Sequence, residues 1–160
     1  MVLTSESYRL GWLIGLIEGE GCFYLRMVKN KTNELLFYPM FQLTLHEDDK
    51  PVLEQIAKYL RQFSIDTKIR TTGRNYCELI VNRMKDNYKL IFVLNRGIWY
   101  SKKYKDFLIW SEVLKRLVVN QQPLYGDDFN EIMKFREQLN QNGKSHRKYI
   151  EVKQNGSNWV

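Results

Sequence analysis

At 160 residues the chain is long enough to bury one hydrophobic core without disulfide or metal staples, and its 44% hydrophobic and 14% aromatic content excludes a disordered chain. Lys and Arg outnumber Asp and Glu 25 to 18, a net charge of +7, which suits a polyanionic partner such as nucleic acid, whose counterions are released on binding. Only two His are present, and the two Cys, Cys22 and Cys77, lack C-x-x-C spacing. Neither a zinc site nor a disulfide framework is supported, and a reducing compartment is the default. No run of about 18 apolar residues offers a membrane span, and the charged, glycine-interrupted N-terminus is not a signal peptide.

Residues 5–19 read as a helix opened by Ser5 or Ser7 as N-cap and closed at the Gly19/Gly21 pair. Leu10, Trp12, Leu13, Ile14, Leu16 and Ile17 leave it almost no polar face, so it must be covered on nearly every side. Gly11, Gly15 and Gly19 recur every four residues as a flat stripe along which a second helix can approach to backbone contact. Each such glycine costs up to about 1 kcal/mol of helix propensity, so compensating close packing is expected. The alternative is a core helix that merely tolerates glycine.

Two carboxylates end this helix. Glu18 and Glu20 sit where the macrodipole disfavours negative charge by roughly 0.3–1 kcal/mol each. A divalent cation held by a carboxylate and nearby backbone carbonyls reverses the sign of that argument. If two such helices pack through the glycine stripe, both Glu20 side chains meet at the dimer axis and repel unless cations bridge them. Mg²⁺ there would serve phosphate hydrolysis.

Downstream, Cys22–Val28 alternates as a half-buried strand, with Phe23, Leu25 and Met27 on one face and Tyr24, Arg26 and Val28 on the other. A second strand follows the polar KNKTNE turn, with Phe37, Phe41, Leu43 and Leu45 inward and Tyr38, Met40, Gln42 and Thr44 outward; the two form a hairpin. Glu47 to Asp49, with Pro51, starts a helix whose Val52, Leu53, Ile56, Ala57 and Leu60 share one face. A second hairpin joined through Gly73 places Lys68, Arg70, Arg74, Tyr76 and Glu78 on a solvent face. A one-residue slip would exchange Tyr76 and Glu78 for Cys77 and Leu79. Helices follow at 84–95 and 102–119, the latter with Leu108, Val113, Leu114, Leu117 and Val118 apolar, and Asp128 with Glu131 boxes the start of the last. The expectation is one α+β domain over 1–142, ordered αββαββα and then helices, with a basic, flexible tail at 143–160.

The segment Leu13-Ile14-Gly15-Leu16-Ile17-Glu18-Gly19-Glu20-Gly21 resembles the signature of the LAGLIDADG homing endonucleases, with Glu in place of both Asp residues. The resemblance covers roughly residues 7–140 and implies the single-motif, homodimeric type, whose four strands per subunit form a saddle-shaped antiparallel sheet over double-stranded DNA. It implies Mg²⁺-dependent cleavage of both strands of a long, nearly palindromic target, leaving short 3′ overhangs, with no small-molecule cofactor and no membrane. By this resemblance the dimer interface runs along Gly11, Leu13, Gly15, Leu16 and Gly19. Glu20 is the catalytic metal ligand, the Gly19 carbonyl a further ligand, and Glu18 sits beside the site in support.

The catalytic Lys expected at the start of the helix after the second αββ unit falls at Lys102, with Lys103 in reserve. The polar residue after the second strand, with its following cation, is matched only by Leu45-His46-Glu47-Asp48-Asp49-Lys50, so His46 or Lys50 is the substitute for positioning water. The outward residues Tyr24, Arg26, Tyr38, Gln42, Thr44, Lys68, Arg70, Arg74 and Tyr76 are the implied DNA readers, Arg and Lys toward guanine edges or phosphates and Gln42 toward adenine. Two other functions fit the same motif, an intron-encoded RNA maturase and a catalytically silent DNA-binding dimer. By family analogy the compartment is intracellular, with a mitochondrion or chloroplast as the organellar option.

Overall fold

A computed structural model describes residues 5–139; the tail expected at 143–160 lies outside them. Helix α1 (Ser5–Glu20) buries Leu10, Leu13, Ile14 and Ile17, the i, i+3, i+4, i+7 set that lines one side of a helix. Burying each of these side chains is worth about 1.5–3 kcal/mol. The helix passes without a loop into strand β1 (Gly21–Lys29). A Cβ on Gly21 would stand 2.7 Å from the Ile17 carbonyl oxygen, so glycine alone fits the junction.

Strand β1 pairs antiparallel with β2 (Leu35–His46), Phe23 opposite Phe41. Their connection is held by Asn30, whose Oδ1 accepts from the backbone N–H groups of Thr32 and Glu34 at 3.0 and 2.9 Å. The acidic run expected to open the next helix forms a separate 3₁₀ turn, Glu47–Asp49, before α2 (Lys50–Arg61). Strands β3 (Lys68–Thr72) and β4 (Tyr76–Val81) complete an antiparallel sheet of order β1-β2-β4-β3. Helices α3 (Met84–Leu94), α4 (Lys103–Val119) and α5 (Gly126–Gln138) follow. The order αββαββα plus helices is the α+β arrangement expected.

Cross-strand register divides the sheet into two faces. Phe23–Phe41–Val81 and Leu43–Leu79 are partner sets that are fully buried, against the helices. Phe23 anchors this layer, with ring centroids 5.2 Å from Phe41, 5.5 Å from Phe107 and 5.1 Å from Trp110, which docks α4 on β1. The fourth strand keeps the expected register: Cys77 and Leu79 are buried inward. Neither Cys22 nor Cys77 is in a disulfide.

Strand β2 outruns β4, whose pairing starts only at Phe41, so the first half of β2 has an open edge. Side-chain amides close it. Gln122 Nε2 donates to the Phe37 carbonyl at 2.8 Å while its Oε1 accepts the Phe37 N–H at 2.5 Å. Asn87, buried, donates to the carbonyls of Pro39 and Val81 at 2.9 and 3.0 Å. These bonds satisfy backbone groups that would otherwise be stranded.

Three local expectations are corrected. Leu108 and Val118 are 46% and 47% exposed, because α4 turns Phe107, Trp110, Val113, Leu114 and Leu117 into the core, a stripe rotated by one residue from the pattern expected. Asp128 and Glu131 do not box the start of α5, which has no side-chain cap; Glu131 instead pairs with Arg116, itself bonded to Glu112. Met40 lies on the outward row of β2, opposite Tyr24, yet is buried. Among the described residues no helix is long and apolar enough to cross a membrane.

Candidate active site and nucleic-acid interface

The two carboxylates ending α1 have different surroundings. Glu18 Oε1 accepts the backbone N–H of Tyr100 at 2.6 Å and of Ser101 at 2.5 Å. The Ser101 N–H is the main cause holding this carboxyl below its ordinary range, with burial opposing and Tyr100 assisting. Glu18 thus meets the two backbone donors just before α4, while the first N–H of the helix itself, that of Lys103, donates to the nearby Ser101 Oγ at 3.2 Å. The Glu18 contact draws the first residues of α4 against the last turn of α1. Lys102, exposed, is the N-cap position of α4 and Lys103 its first residue.

Glu20, by contrast, is exposed, as is Gly19 beside it. Because Gly21 pairs with Leu43, the final residues of β2, Thr44 to His46, run past the end of α1. The C-terminus of α1, the start of α4 and the end of β2 thus share one end of the sheet, which brings together the segments carrying Glu20, Lys102 and His46. His46 is engaged locally: its Nδ1 accepts the Asp48 N–H at 3.3 Å, capping the 3₁₀ turn, and its ring meets Tyr76 edge-on. Lys50, the other substitute, is exposed at the first position of α2.

Among the described residues no three His, Cys, Asp or Glu side chains converge as a metal-holding group. What one protomer offers at this point is the exposed Glu20 carboxylate and the carbonyls of the last α1 turn, including Gly19. These are hard oxygen donors at the negative end of a helix dipole, a chemistry that fits Mg²⁺ better than softer metals. The Glu20 carboxylate and the Gly19 carbonyl together offer fewer oxygens than the six an octahedral ion takes.

The outer side of α1 is uncovered. Gly11, Gly15 and Gly19 are exposed, and a Cβ on any of them would meet nothing within 4 Å. Tyr8 and Trp12 beside them are 67% and 38% exposed, whereas Leu16 is half-buried. Leu13, expected in the same seam, is 1% exposed. It lies two residues from Gly11 and Gly15, about 200° around the helix, and so belongs to the protomer's own core.

The face of the sheet away from the helices carries the remaining candidates in cross-strand rows: Arg26–Tyr38, Tyr24–Met40, Cys22–Gln42–Ile80–Lys68, Thr44–Glu78–Arg70 and His46–Tyr76–Thr72. Arg26, Tyr38, Lys68, Arg70 and Tyr76 are exposed, and Tyr24, Gln42 and Thr44 half-buried. Gln42 Nε2 donates to Thr44 Oγ1 at 3.0 Å, and burial pushes the Tyr24 phenol above its ordinary range. Met40 and Ile80 form an apolar floor under this surface, which alternation alone would have left open to solvent. Arg74 is not on the strand face. It occupies the β3–β4 turn at φ 74°, followed by Asn75 at 62°, because these two residues supply the left-handed backbone the tight connection requires.

Sequence reading gave Glu18 a supporting role without a partner, since Tyr100 and Ser101 lie some eighty residues away. Glu18→Ala should cost about 1 kcal/mol, as loss of a hydrogen-bond acceptor does, and loosen the segment that leads into α4. Thermal unfolding checks this. Its contribution should also follow acid: the folded pKa is held below the ordinary carboxylate range by the Ser101 N–H, so the tether is complete above that range and is lost as pH falls through the folded pKa. Amide chemical shifts of Tyr100 and Ser101 followed through the acid range report this; shifts unresponsive to Glu18 protonation would contradict it.

Residues 13–114 match the family model described as LAGLIDADG endonuclease. The chain is 29% identical over 128 residues to "Probable intron-encoded endonuclease 3" of Neurospora crassa, covering 79% of this chain and 24% of that protein. It is 29% identical over 109 residues to "Probable intron-encoded endonuclease 4" of the same organism, covering 68% and 18%. The chain thus spans about a quarter or less of these curated relatives. Among solved structures, the homing endonuclease I-TnaI superimposes with a TM-score of 0.76 at 21% identity, over 89% of this chain and 95% of that one. The LAGLIDADG meganuclease I-AabMI bound to uncleaved DNA does so at 0.71 with 30% identity, over 82% and 44%. I-GzeII in complex with its DNA target gives 0.73 with 24% identity, over 88% and 47%. With the motif in register at residues 13–21, the matched fold and a family model spanning most of the chain, this protein belongs to the LAGLIDADG endonuclease family.

Proposed function

We propose that the chain is a site-specific endonuclease that dimerises through α1 and makes Mg²⁺-dependent breaks in both strands of a long, nearly palindromic duplex. The observation that carries this reading is the junction at the end of α1. Glu18 is spent on tethering α4, which leaves Glu20 exposed beside the uncovered glycine stripe. Each protomer supplies too few oxygen donors for an octahedral cation, and two protomers meeting along Gly11, Gly15, Gly19 and Leu16 would bring two Glu20 carboxylates together.

Glu20 and the Gly19 carbonyl would hold the cation. When bound, Mg²⁺ supplies Lewis-acid stabilisation of the phosphate and a more acidic water. Lys102, at the start of α4, places positive charge where the scissile phosphate gains negative charge. His46 has one ring nitrogen occupied by the 3₁₀ turn, leaving Nε2 to orient water by hydrogen bonding. The outward residues of the sheet, with Arg74 at its edge, face the duplex; the charge of +7 supports a polyanion, and the DNA-bound relatives support duplex DNA.

Selection of cleaved duplexes from a randomised library in Mg²⁺ tests the proposal. Recovery of one long site with two-fold-related halves is the expected result. Enrichment of a bound but uncut site would favour the silent DNA-binding dimer, and preference for structured RNA over duplex would favour the maturase.

A further inference from the structure

The centre of the outward sheet face contains a buried anion. Glu78 sits on β4 between Thr44 of β2 and Arg70 of β3 in one cross-strand row. Its side chain is 4% exposed while that of its partner Arg70 is 65% exposed. A carboxylate beneath a surface proposed to receive phosphate groups opposes binding through simple charge, and a buried carboxylate is retained at a desolvation cost.

The geometry of the pair suggests what offsets that cost. Arg70 donates through Nε to Glu78 Oε1, so Glu78 grips the side of the guanidinium. With 65% of the Arg70 side chain exposed, the guanidinium keeps Nη donors beyond the Nε bond, and a pair of parallel N–H donors matches O6 and N7 of guanine in the major groove. A free arginine on an open strand can swing to the nearest phosphate, which carries no sequence information. One held by its Nε against the sheet is restrained from doing so. The Gln42–Thr44 bond at 3.0 Å fixes the side of the row next to Glu78 in the same way, while the apolar Ile80, buried at 6%, lies two residues along β4 and offers Arg70 no alternative acceptor.

We infer that Glu78 is a positioning residue for specificity: it aims Arg70 at a guanine edge and keeps it off the backbone, so each half-site has one G·C pair whose recognition depends on Glu78. This rests on the proposed DNA-binding reading of the sheet. Glu78 acts through Arg70, to which it is paired, and not on a base itself.

The test is a binding profile of the full chain on a library of single-base variants of the selected site, at several salt concentrations, for wild type, Glu78→Gln, Arg70→Ala and Arg70→Lys. Wild type should show a strong guanine preference at one position per half-site. Arg70→Ala and Arg70→Lys should each reduce it roughly tenfold or more, as loss of a bidentate contact does. The isosteric Glu78→Gln should relax the same position and no other, while raising affinity for unrelated duplex and steepening the salt dependence by about one phosphate contact as Arg70 is released. A purely structural role for Glu78 would lower affinity evenly and leave the salt slope unchanged, and that result, or an unaltered profile in Glu78→Gln, overturns the inference. Failure of wild type to bind any duplex would instead overturn the DNA-binding reading itself.

Discussion

Glu20→Gln should abolish strand cleavage, by on the order of a thousandfold or more, the scale on which removing a key group that stabilises transition-state charge is felt, while leaving binding of the selected duplex within a few fold. The separation follows from location. Glu20 is exposed at the end of α1, so the substitution creates no cavity and strands no buried charge. Gln keeps the size and one oxygen but loses the charge proposed to hold a cation at the negative end of the helix dipole. Removing two negative charges from the dimer axis should even favour assembly in the absence of metal. Measurement of single-turnover cleavage beside equilibrium binding checks this; equal cutting by both proteins would remove Glu20 from the site.

Gly15→Leu should separate the subunits and with them the two-strand activity, without unfolding the protomer. A Cβ at Gly15 meets nothing within 4 Å, and Leu in a helix is favoured over Gly by roughly 0.8 kcal/mol. The isolated chain should therefore be slightly more stable than wild type. In a dimer the same side chain would stand where two helix backbones approach each other, forcing the axes apart and breaking the seam. Leu13→Ala supplies the contrast: Leu13 is 1% exposed and its truncation should cost about 2–5 kcal/mol of protomer stability. Sedimentation velocity and thermal unfolding of both variants separate the two effects, and an unchanged dimer in Gly15→Leu would refute the seam.

Much of this architecture was legible because local signals agreed with one another. Alternation in β1 and β2 indicated which residues face the helices, whereas β4 left a one-residue slip open, because Glu78 and Ile80 on its outward row are buried along with Cys77 and Leu79. The glycine stripe was equally visible, as three small residues at helical spacing. Leu13 was misassigned because the family motif is a continuous string, whereas a helix distributes successive residues at 100° intervals around its axis.

Other features depend on contacts between distant parts of the chain. The Glu18 tether links residues more than eighty positions apart, and Gln122 bonds Phe37 across 85. Neither has a local pattern. Arg74 was placed on a strand because nothing in its type announces a left-handed turn; the backbone there is set by the strands that must be joined. Glu78 was read as a solvated charge by alternation, and only the packing of Arg70 over it reveals a buried pair.

The end-labelled selected duplex, cut by the wild-type protein with and without Mg²⁺ and mapped on both strands, tests the central claim most directly. Two cuts related by the dyad of the site, offset to leave short 3′ overhangs and absent when the cation is chelated, are the predicted result. A cut confined to one strand, or cleavage that persists after chelation, would contradict a dimer whose two Glu20 carboxylates hold the catalytic cation.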